Sequence, residues 1–565
     1  MRSLWVRAYA APDTQALRGW QRRALVRYLG AKPRDFLAVA TPGAGKTTFA
    51  LRIAAELLAD GTVERITVVV PTEHLKIQWA AAAARIGIAL DPKFSNSNSQ
   101  TSSEYHGVVI TYAQVATHPS RHRVRTENHR TLVIFDEIHH GGDAKSWGEA
   151  MREAFSDATR RLALTGTPFR SDDSPIPFVS YVPDAEGLLR SESDHTYGYA
   201  DALADGVVRP VIFLAYSGEA RWRSSAGEEH AARLGEPLNA EQTARAWRTV
   251  LDANGEWIPA VLKAADTRLR QLRAGGMPDA GAMIIATDQT AARQYAALLT
   301  KMTGEAPTVV LSDDPGASAR IAEYSAGNSA WLVAVRMVSE GVDVPRLAVG
   351  VYATSASTPL FFAQAIGRFV RLRRPGETAS IFVPSVPTLL DLASQMEAQR
   401  DHVLGKPHRE SMGDEELVER RRSEPTEEDR GFESLGASAE LDQVIFDGAS
   451  FGTATPAGSE EEADYLGIPG LLDADQMRDL LRRRQEEQLT RRTASGEPPP
   501  VTPYGQLREL RQELNTLVSL AHHRLNKPHG WIHNELRRIC GGPPVAAATS
   551  DQLQARIAAV RTLKA

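Results

Sequence analysis

The stretch ATPGAGKTT at residues 40–48 constrains this chain more than any other. It directly follows an apolar run, DFLAVA (35–40), and precedes a helix-patterned run, FALRIAAELLAD (49–60). A glycine-rich turn between strand and helix lets backbone N–H groups surround phosphate oxygens at a helix N-terminus. Gly43 and Gly45 permit the close approach, and Ala44 and Thr48 are read with them as nucleotide-binding. Lys46 supplies a point charge for the β- and γ-phosphates, and Thr47 a hydroxyl ligand for Mg²⁺. Position 40 is alanine where the pattern GxxxxGK[ST] has its first glycine, so the spacing fits AxxGxGKT.

A second motif, DEIHH (136–140), ends the apolar run TLVIF (131–135). In a parallel sheet the C-terminal end of a strand opens onto the ligand crevice. Asp136 is expected to hold Mg²⁺ through a water, and Glu137 to orient and deprotonate an attacking water. His139 and His140 lack HxxxH spacing and a cysteine partner, which argues against zinc.

The runs at 35–40, 66–70 (ITVVV), 107–111 (GVVIT), 131–135 and 161–165 (RLALT) read as buried parallel strands alternating with helices. Unbroken apolar runs suit strands covered on both faces, and the alternation predicts a doubly wound α/β domain. A second series follows at 282–287, 307–312, 331–335, 347–353 and 379–384, with a further strand in VRPVIFLAY (208–216). The expected division is a first lobe at 1–200 and a second at 201–400 with a helical insertion near 218–275. An acidic linker at 401–470 and a helical accessory module at 471–565 follow. The linker reading rests on about three acids per base after residue 401, with many Gly and Ser.

The chain has 565 residues, 42% hydrophobic and 24% charged, with net charge -5. Each domain can bury a core, and any nucleic-acid contact must come from a local basic groove. The single cysteine, Cys540, excludes an intramolecular disulfide and cysteine-rich metal sites. MRSLWVRAYA at the N-terminus has no signal-peptide run, and no stretch of about 18 apolar residues occurs. A cytoplasmic protein without membrane contact is expected. RHRVR (121–125) is a basic cluster that reads more readily as a solvated loop than as a DNA contact. The C-terminal stretch 520–542, with Trp531 and several histidines, suggests an accessory nucleic-acid or partner module.

Further motifs run in a fixed order: Gln21 in LRGWQRRAL, PTEHLKIQW (71–79), ITYAQV (110–115), LTGTPFR (164–170), MIIATDQTAARQYA (283–296), VRMVSEGVDVPRL (335–347) and QAIGRFVR (364–371). With the two already described, they resemble superfamily two helicases of the DExH branch across about residues 15–375. The DEIHH box and VRMVSEGVDVPRL are most similar to the actinobacterial SftH-type clade of DNA-dependent ATPases. The last motif departs from the pattern [HQ]RxGRxGR at Ala365 and Val370 but keeps both arginines. Ile138 and His139 stand where DEAD-box RNA helicases have alanine and aspartate.

The resemblance implies two tandem RecA-like lobes of the P-loop NTPase type, using ATP and Mg²⁺. It implies that Gln21 reads adenine and that Thr47 and Asp136 serve the metal. Arg368 and Arg371, three residues apart and so expected on one helix face, would act as arginine fingers across the cleft. Gln364 would contact the water or γ-phosphate, and Gly341 and Asp343 would sense nucleotide. His139, Thr165 and Thr167 would couple hydrolysis to the nucleic-acid groove. That groove is expected along Thr72, Glu73, His74, Thr111, Tyr112 and Arg170 of the first lobe, with Thr287, Gln289 and Ser339 of the second.

The function implied is a DNA-dependent ATPase and translocase acting as a monomer, 3′→5′ on single-stranded or tailed duplex DNA. The alternatives are an RNA-directed or duplex-tracking motor, or a nucleotide-gated clamp without turnover.

Overall fold

The computed structural model describes residues 17–97, 102–139, 145–166, 175–183, 189–223, 229–236, 238, 240–311, 316–335, 344–394, 396, 403–404, 433–446, 449–495, 503–525, 527, 529–541, 545, 548 and 550–563. Two open α/β sheets carry the architecture.

The first lobe contains β1 (Asp35–Ala40), β2 (Arg65–Val70), β3 (Leu90–Asp91), β4 (Gly107–Thr111), β5 (Thr131–Asp136) and β6 (Arg160–Thr165). The short strands β7 (Ser180–Pro183), β8 (Leu189–Glu192) and β9 (His195–Tyr197) follow. Its seven-stranded sheet runs β3-β4-β2-β5-β6-β1-β9 with every pairing parallel. Both faces of β1 are covered. Phe36, Ala38 and Ala40 face one core cluster, and Leu37 and Val39 face the other. This two-sided burial is why the strand reads as an unbroken apolar run. The order β5-β6-β1 brings Asp136, Thr165 and the loop after Ala40 to adjacent strand ends.

The second lobe contains β10 (Val211–Ser217), β11 (Glu219–Arg223), β12 (Glu229–Arg233), β13 (Gly281–Ala286), β14 (Thr308–Val310), β15 (Trp331–Val335), β16 (Leu347–Ala353) and β17 (Ala379–Pro384). Beyond it the chain forms β18 (Val403–Leu404), β19 (Glu433–Ala437), β20 (Glu440–Phe446) and β21 (Ala449–Pro456). The eight-stranded sheet runs β14-β15-β13-β16-β17-β10-β20-β21, parallel as far as β10 and antiparallel beyond it. The expected RecA-like arrangement is thus present in both lobes, with helices over the sheets.

Three expectations about the second half need correction. The described residues within 433–466 are not linker: β20 and β21 extend the second sheet, and Leu441, Val444, Phe446 and Phe451 enter its core. The segment 218–275 is not solely helical, since β11 and β12 form a hairpin that β19 completes as a third strand. The accessory module starts later than 471. Helix Ala474–Ser495 packs Met477 and Leu481 into the second-lobe core, and Gln488 Oε1 accepts from Tyr465 Oη at 3.0 Å. Helices Pro503–Leu525, His529–Cys540 and Ser550–Thr562 share a separate core around Leu514, Ile532, Leu536 and Leu553. The basic stretch RHRVR lies in helix Pro119–Glu127, where Arg125 stacks over Phe94 and His122 is buried. Among the described residues no helix is long and apolar enough to cross a membrane.

Candidate active site

The loop at 41–45 owes its shape to two glycines and one flanking helix. Gly43 (φ 80°) and Gly45 (φ 91°) sit in the left-handed region, where an L side chain is strained. Helix Gly19–Ala31 and the residue before it pull three loop carbonyls outward. Arg18 Nη1 donates to Gly43 O at 2.8 Å, Trp20 Nε1 to Ala44 O at 3.0 Å and Gln21 Nε2 to Gly45 O at 2.9 Å. A trans peptide places its N–H opposite its C=O. The N–H groups of Gly45 and Lys46 therefore face away from that helix, at the N-terminus of helix Lys46–Ala59. Gln21 itself is buried, and its Oε1 accepts from Arg18 N at 2.8 Å. Arg18 and Trp20 were missed by sequence reasoning, although both lie in the LRGWQRRAL motif beside Gln21. Trp20 is held by stacking on Tyr197 of β9, with ring centroids 5.2 Å apart. Thr47 and Thr48 lie in the first turn of the following helix.

Lys46 Nζ donates to Ala40 O at 3.1 Å and pairs with Glu137 Oε1 at 3.0 Å. Gly166 closes the same corner, where an added Cβ would lie 3.1 Å from Lys46 Nζ. Glu137 has φ 49°, a left-handed conformation that costs a non-glycine residue on the order of 1–3 kcal/mol. That turn aims its carboxylate back at the loop, and Oε2 accepts from Gly166 N at 3.0 Å. Burial alone would raise its pKa. The charges of Lys46 and His139 and the Gly166 N–H outweigh burial and hold it down to about 2.

Asp136 is buried at the end of β5. Its Oδ2 accepts from Trp79 Nε1 at 2.7 Å, and its backbone O accepts from Tyr112 Oη at 3.0 Å. The motifs at 71–79 and 110–115 thus both contact Asp136. Thr111 and Tyr112 do not line an open groove, which corrects the expectation for both. Tyr112 is buried, and Thr111 is a buried N-cap whose Oγ1 accepts from Gln114 N at 3.2 Å. Beyond β2, Thr72 is the N-cap of helix Glu73–Ala84, which Glu73 and His74 open. Glu73 Oε2 pairs with Lys76 Nζ at 3.1 Å, and His74 Nε2 lies 2.8 Å from Gln78 Nε2. In the second lobe Thr287 follows β13, and Gln289 opens helix Gln289–Thr303. Thr167, Arg170, Ser339, Gly341 and Asp343 lie outside the described residues, as does His140.

The two lobes meet at this site. His139 Nδ1 lies 3.0 Å from Thr165 Oγ1 and 3.7 Å from Glu137 Oε2, while its Nε2 lies 3.2 Å from Gln364 Nε2 of the second lobe. Gly367 packs so closely on Pro42 that an added Cβ would lie 2.7 Å from Pro42 Cγ. Arg371 Cγ lies 3.4 Å from where a Gly43 Cβ would stand. Arg371 is therefore against the phosphate-binding loop. Burial lowers its pKa to about 10, which still leaves it charged at neutral pH.

Arg368 and Arg371 do not share a helix, contrary to the sequence expectation. Helix Pro359–Ile366 stops before them, residues 367–369 form a turn, and Arg371 pairs with Val208 in an antiparallel bridge. The carbonyls of Phe369 and Val370 are taken by Arg209 instead of the next helical turn.

The donor set suits a nucleoside triphosphate with Mg²⁺. Thr47 and Asp136 offer the hard oxygen ligands that Mg²⁺ prefers, and Gly166, having no side chain, leaves the space beside Lys46 Nζ open.

Fold and site together define an ATP-hydrolysing enzyme built from two RecA-like lobes. The family model for the type III restriction enzyme res subunit matches residues 14–170. The chain is 74% identical over 558 residues to the uncharacterized protein Rv2917 of Mycobacterium tuberculosis, covering 97% of this chain and 92% of that one. It is 72% identical over 567 residues to ML1624 of Mycobacterium leprae, covering 98% and 95%. The chain belongs to the family these mycobacterial proteins represent. A shorter match, 31% identical over 161 residues, links it to the DNA 3'-5' translocase XPB2 of Sulfurisphaera tokodaii, covering 28% of this chain and 33% of that one.

Proposed function

We propose that this enzyme is a DNA-dependent ATPase of the SftH-type clade that translocates 3′→5′ along single-stranded DNA and unwinds duplexes ahead of it. One observation carries the reading: Arg371 and Gln364 of one lobe reach Gly43 and His139 of the other at a single site. A triphosphate bound there would be grasped from both sides, so its hydrolysis would change how the lobes are held together.

In this account Gln21 serves the adenine end, and the N–H groups of Gly45 and Lys46 bind phosphate oxygens. Thr47 and Asp136 hold Mg²⁺, which neutralises charge on the phosphates when bound. Glu137 orients the attacking water and accepts its proton. With its pKa held near 2 it is a weak base. Once Lys46 turns to the phosphates, the carboxylate loses its strongest positive partner and burial makes it more basic. Arg368 and Arg371 supply positive charge to the γ-phosphate.

His139 and Thr165, with Thr167, relay the state of the site. Gly341 and Asp343 sense nucleotide from the second lobe. The DNA backbone would run over Thr72, Glu73, His74 and Arg170, then over Thr287, Gln289 and Ser339. The polarity follows the family resemblance and agrees with the activity for which XPB2 is named.

Strand displacement on duplexes with a 3′ or a 5′ single-stranded tail tests the reading, run beside ATP turnover with single-stranded DNA, duplex DNA and RNA. Displacement from the 3′ tail alone, with turnover stimulated by single-stranded DNA, is the expected result. Stimulation by RNA or blunt duplex alone would replace it with an RNA-directed or duplex-tracking motor. DNA binding without turnover would leave only a clamp.

A further inference from the structure

We infer that Arg209 is the positioning residue that sets Arg371 over the phosphate-binding loop, acting as a clamp between the connector of the two lobes and the arginine-bearing segment. The inference rests on the proposed role of Arg371.

Arg209 is fully buried, at 0% exposure, just after the chain leaves the first lobe through helix Tyr199–Ala204. Its backbone N donates to Val370 O at 2.9 Å and its Nε to Phe369 O at 2.6 Å. Its Nη2 donates to Leu347 O at the start of β16. The adjacent residue, Val208, forms the antiparallel bridge with Arg371, and Val208 Cγ1 is the next atom after Arg371 Cγ at the face of Gly43. Residues 208–209 therefore hold 369–371 along one edge.

The helix ends at Ile366, with Gly367 as its C-cap. The segment beyond it still has carbonyls to satisfy, and a buried guanidinium with five donors in a fixed fork can take several at once. The charge is compensated by Glu377, also buried, whose Oε2 lies 3.5 Å from Arg209 Nη1. Glu377 Oε1 in turn pairs with Arg373 Nη2 at 2.9 Å, and Arg373 Nη1 pairs with Asp279 Oδ2 at 2.5 Å. A charge buried only to fill space would be replaced by an apolar side chain at no loss. Here its backbone N and Nε reach the stretch that carries Arg371, and its Nη2 reaches the start of β16. The contact also ties Arg371 to the covalent connector, so its position is referred to both lobes at once.

The test uses the full chain with Arg209→Lys, Arg209→Met and Glu377→Gln, and Arg371→Ala as the control. ATP turnover with single-stranded DNA and binding of a fluorescent ATP analogue are measured for each. Arg209→Lys keeps the charge for Glu377 but loses the fork. It is expected to lower kcat at least about tenfold, the scale of loss from misplacing a catalytic group by less than 1 Å. KM and analogue affinity should stay within about twofold, because the first lobe's loop is untouched. Glu377→Gln keeps the fork but loosens it, and should lower kcat in the same sense by a smaller factor. A folded Arg209→Lys or Glu377→Gln enzyme with wild-type kcat overturns the clamp, and so does a parallel loss of analogue binding. If both Arg209 variants fail to fold, Glu377→Gln alone decides. Full turnover in Arg371→Ala would sink the role of Arg371 itself. Loss in Arg371→Ala with no effect at Arg209 or Glu377 would sink only the clamp.

Discussion

His139 Nε2 of the first lobe and Gln364 Nε2 of the second stand 3.2 Å apart, a side-chain contact that joins the acidic motif to helix Pro359–Ile366. The imidazole faces Thr165 and Glu137 with its other nitrogen. It therefore lies between Glu137 and the far lobe. His139→Ala and Gln364→Ala should each lower DNA-stimulated turnover. The double variant should fall no further than the worse single one, with a coupling on the order of 0.5–3 kcal/mol. Strictly additive losses in that cycle would mean the pair does not act as a unit.

Gly367 packs tightly against Pro42 of the other lobe. Its backbone is ordinary for any residue (φ -55°), so the cost of a side chain is purely steric. A Cβ at 2.7 Å from a proline ring has no flexible neighbour to displace. Gly367→Ala should hold the lobes apart and lower kcat/KM for ATP by about tenfold or more, with the melting temperature little changed. Steady-state ATPase together with a thermal melt checks this. Unchanged kcat/KM would show that the contact is not made in the working enzyme.

Trp79→Phe removes the indole N–H that Asp136 Oδ2 accepts at 2.7 Å and keeps most of the ring. An unsatisfied buried carboxylate oxygen costs about 1–3 kcal/mol, to be read in a denaturant melt. Losing such a supporting hydrogen bond should also raise the Mg²⁺ concentration for half-maximal turnover by about 10–100-fold. A Mg²⁺ titration that matches the wild type would detach Trp79 from the site.

Asp442 predicts a pH dependence of stability. It sits at a bulge of β20, and burial raises its pKa from 3.8 to about 6 despite help from Ser385 and Arg233, with Glu440 nearby pushing it further up. The folded state thus disfavours the ionised carboxyl. Stability is unaffected below 3.8, falls as pH rises from 3.8 to about 6, and is level above that, lower by about 3 kcal/mol. Asp442→Asn should be near neutral at pH 4 and stabilising at pH 8, as chemical denaturation at both values will show. Equal effects at the two pH values would contradict the raised pKa.

The strands of both sheets were legible because two-sided burial leaves runs such as DFLAVA and LAVGVYA without polar interruption. The phosphate-binding loop was legible because strand, glycines, lysine and helix are contiguous. By contrast, β20 carries Asp442 and Gln443 in its middle and lies beside an acid-rich stretch, so averaged composition hid it. The end of the helix before Arg368 had one local mark, Gly367, its C-cap. FFAQAIGRFVRL otherwise keeps a helical pattern, and the carbonyl of Phe369 beyond the cap is taken by Arg209, some 160 residues away. The service of Trp79 and Tyr112 to Asp136 was hidden for the same reason, since it depends on which strands lie side by side.

The claim beneath all of this is that one ATP is worked on from both lobes. It is tested most directly by Lys46→Ala and Arg371→Ala, one from each lobe, assayed for ATP analogue binding and for turnover with and without single-stranded DNA. The account predicts that wild-type turnover rises with DNA and that both variants lose it, while Arg371→Ala still binds the analogue. DNA-stimulated hydrolysis that survives in Arg371→Ala at the wild-type rate would contradict it.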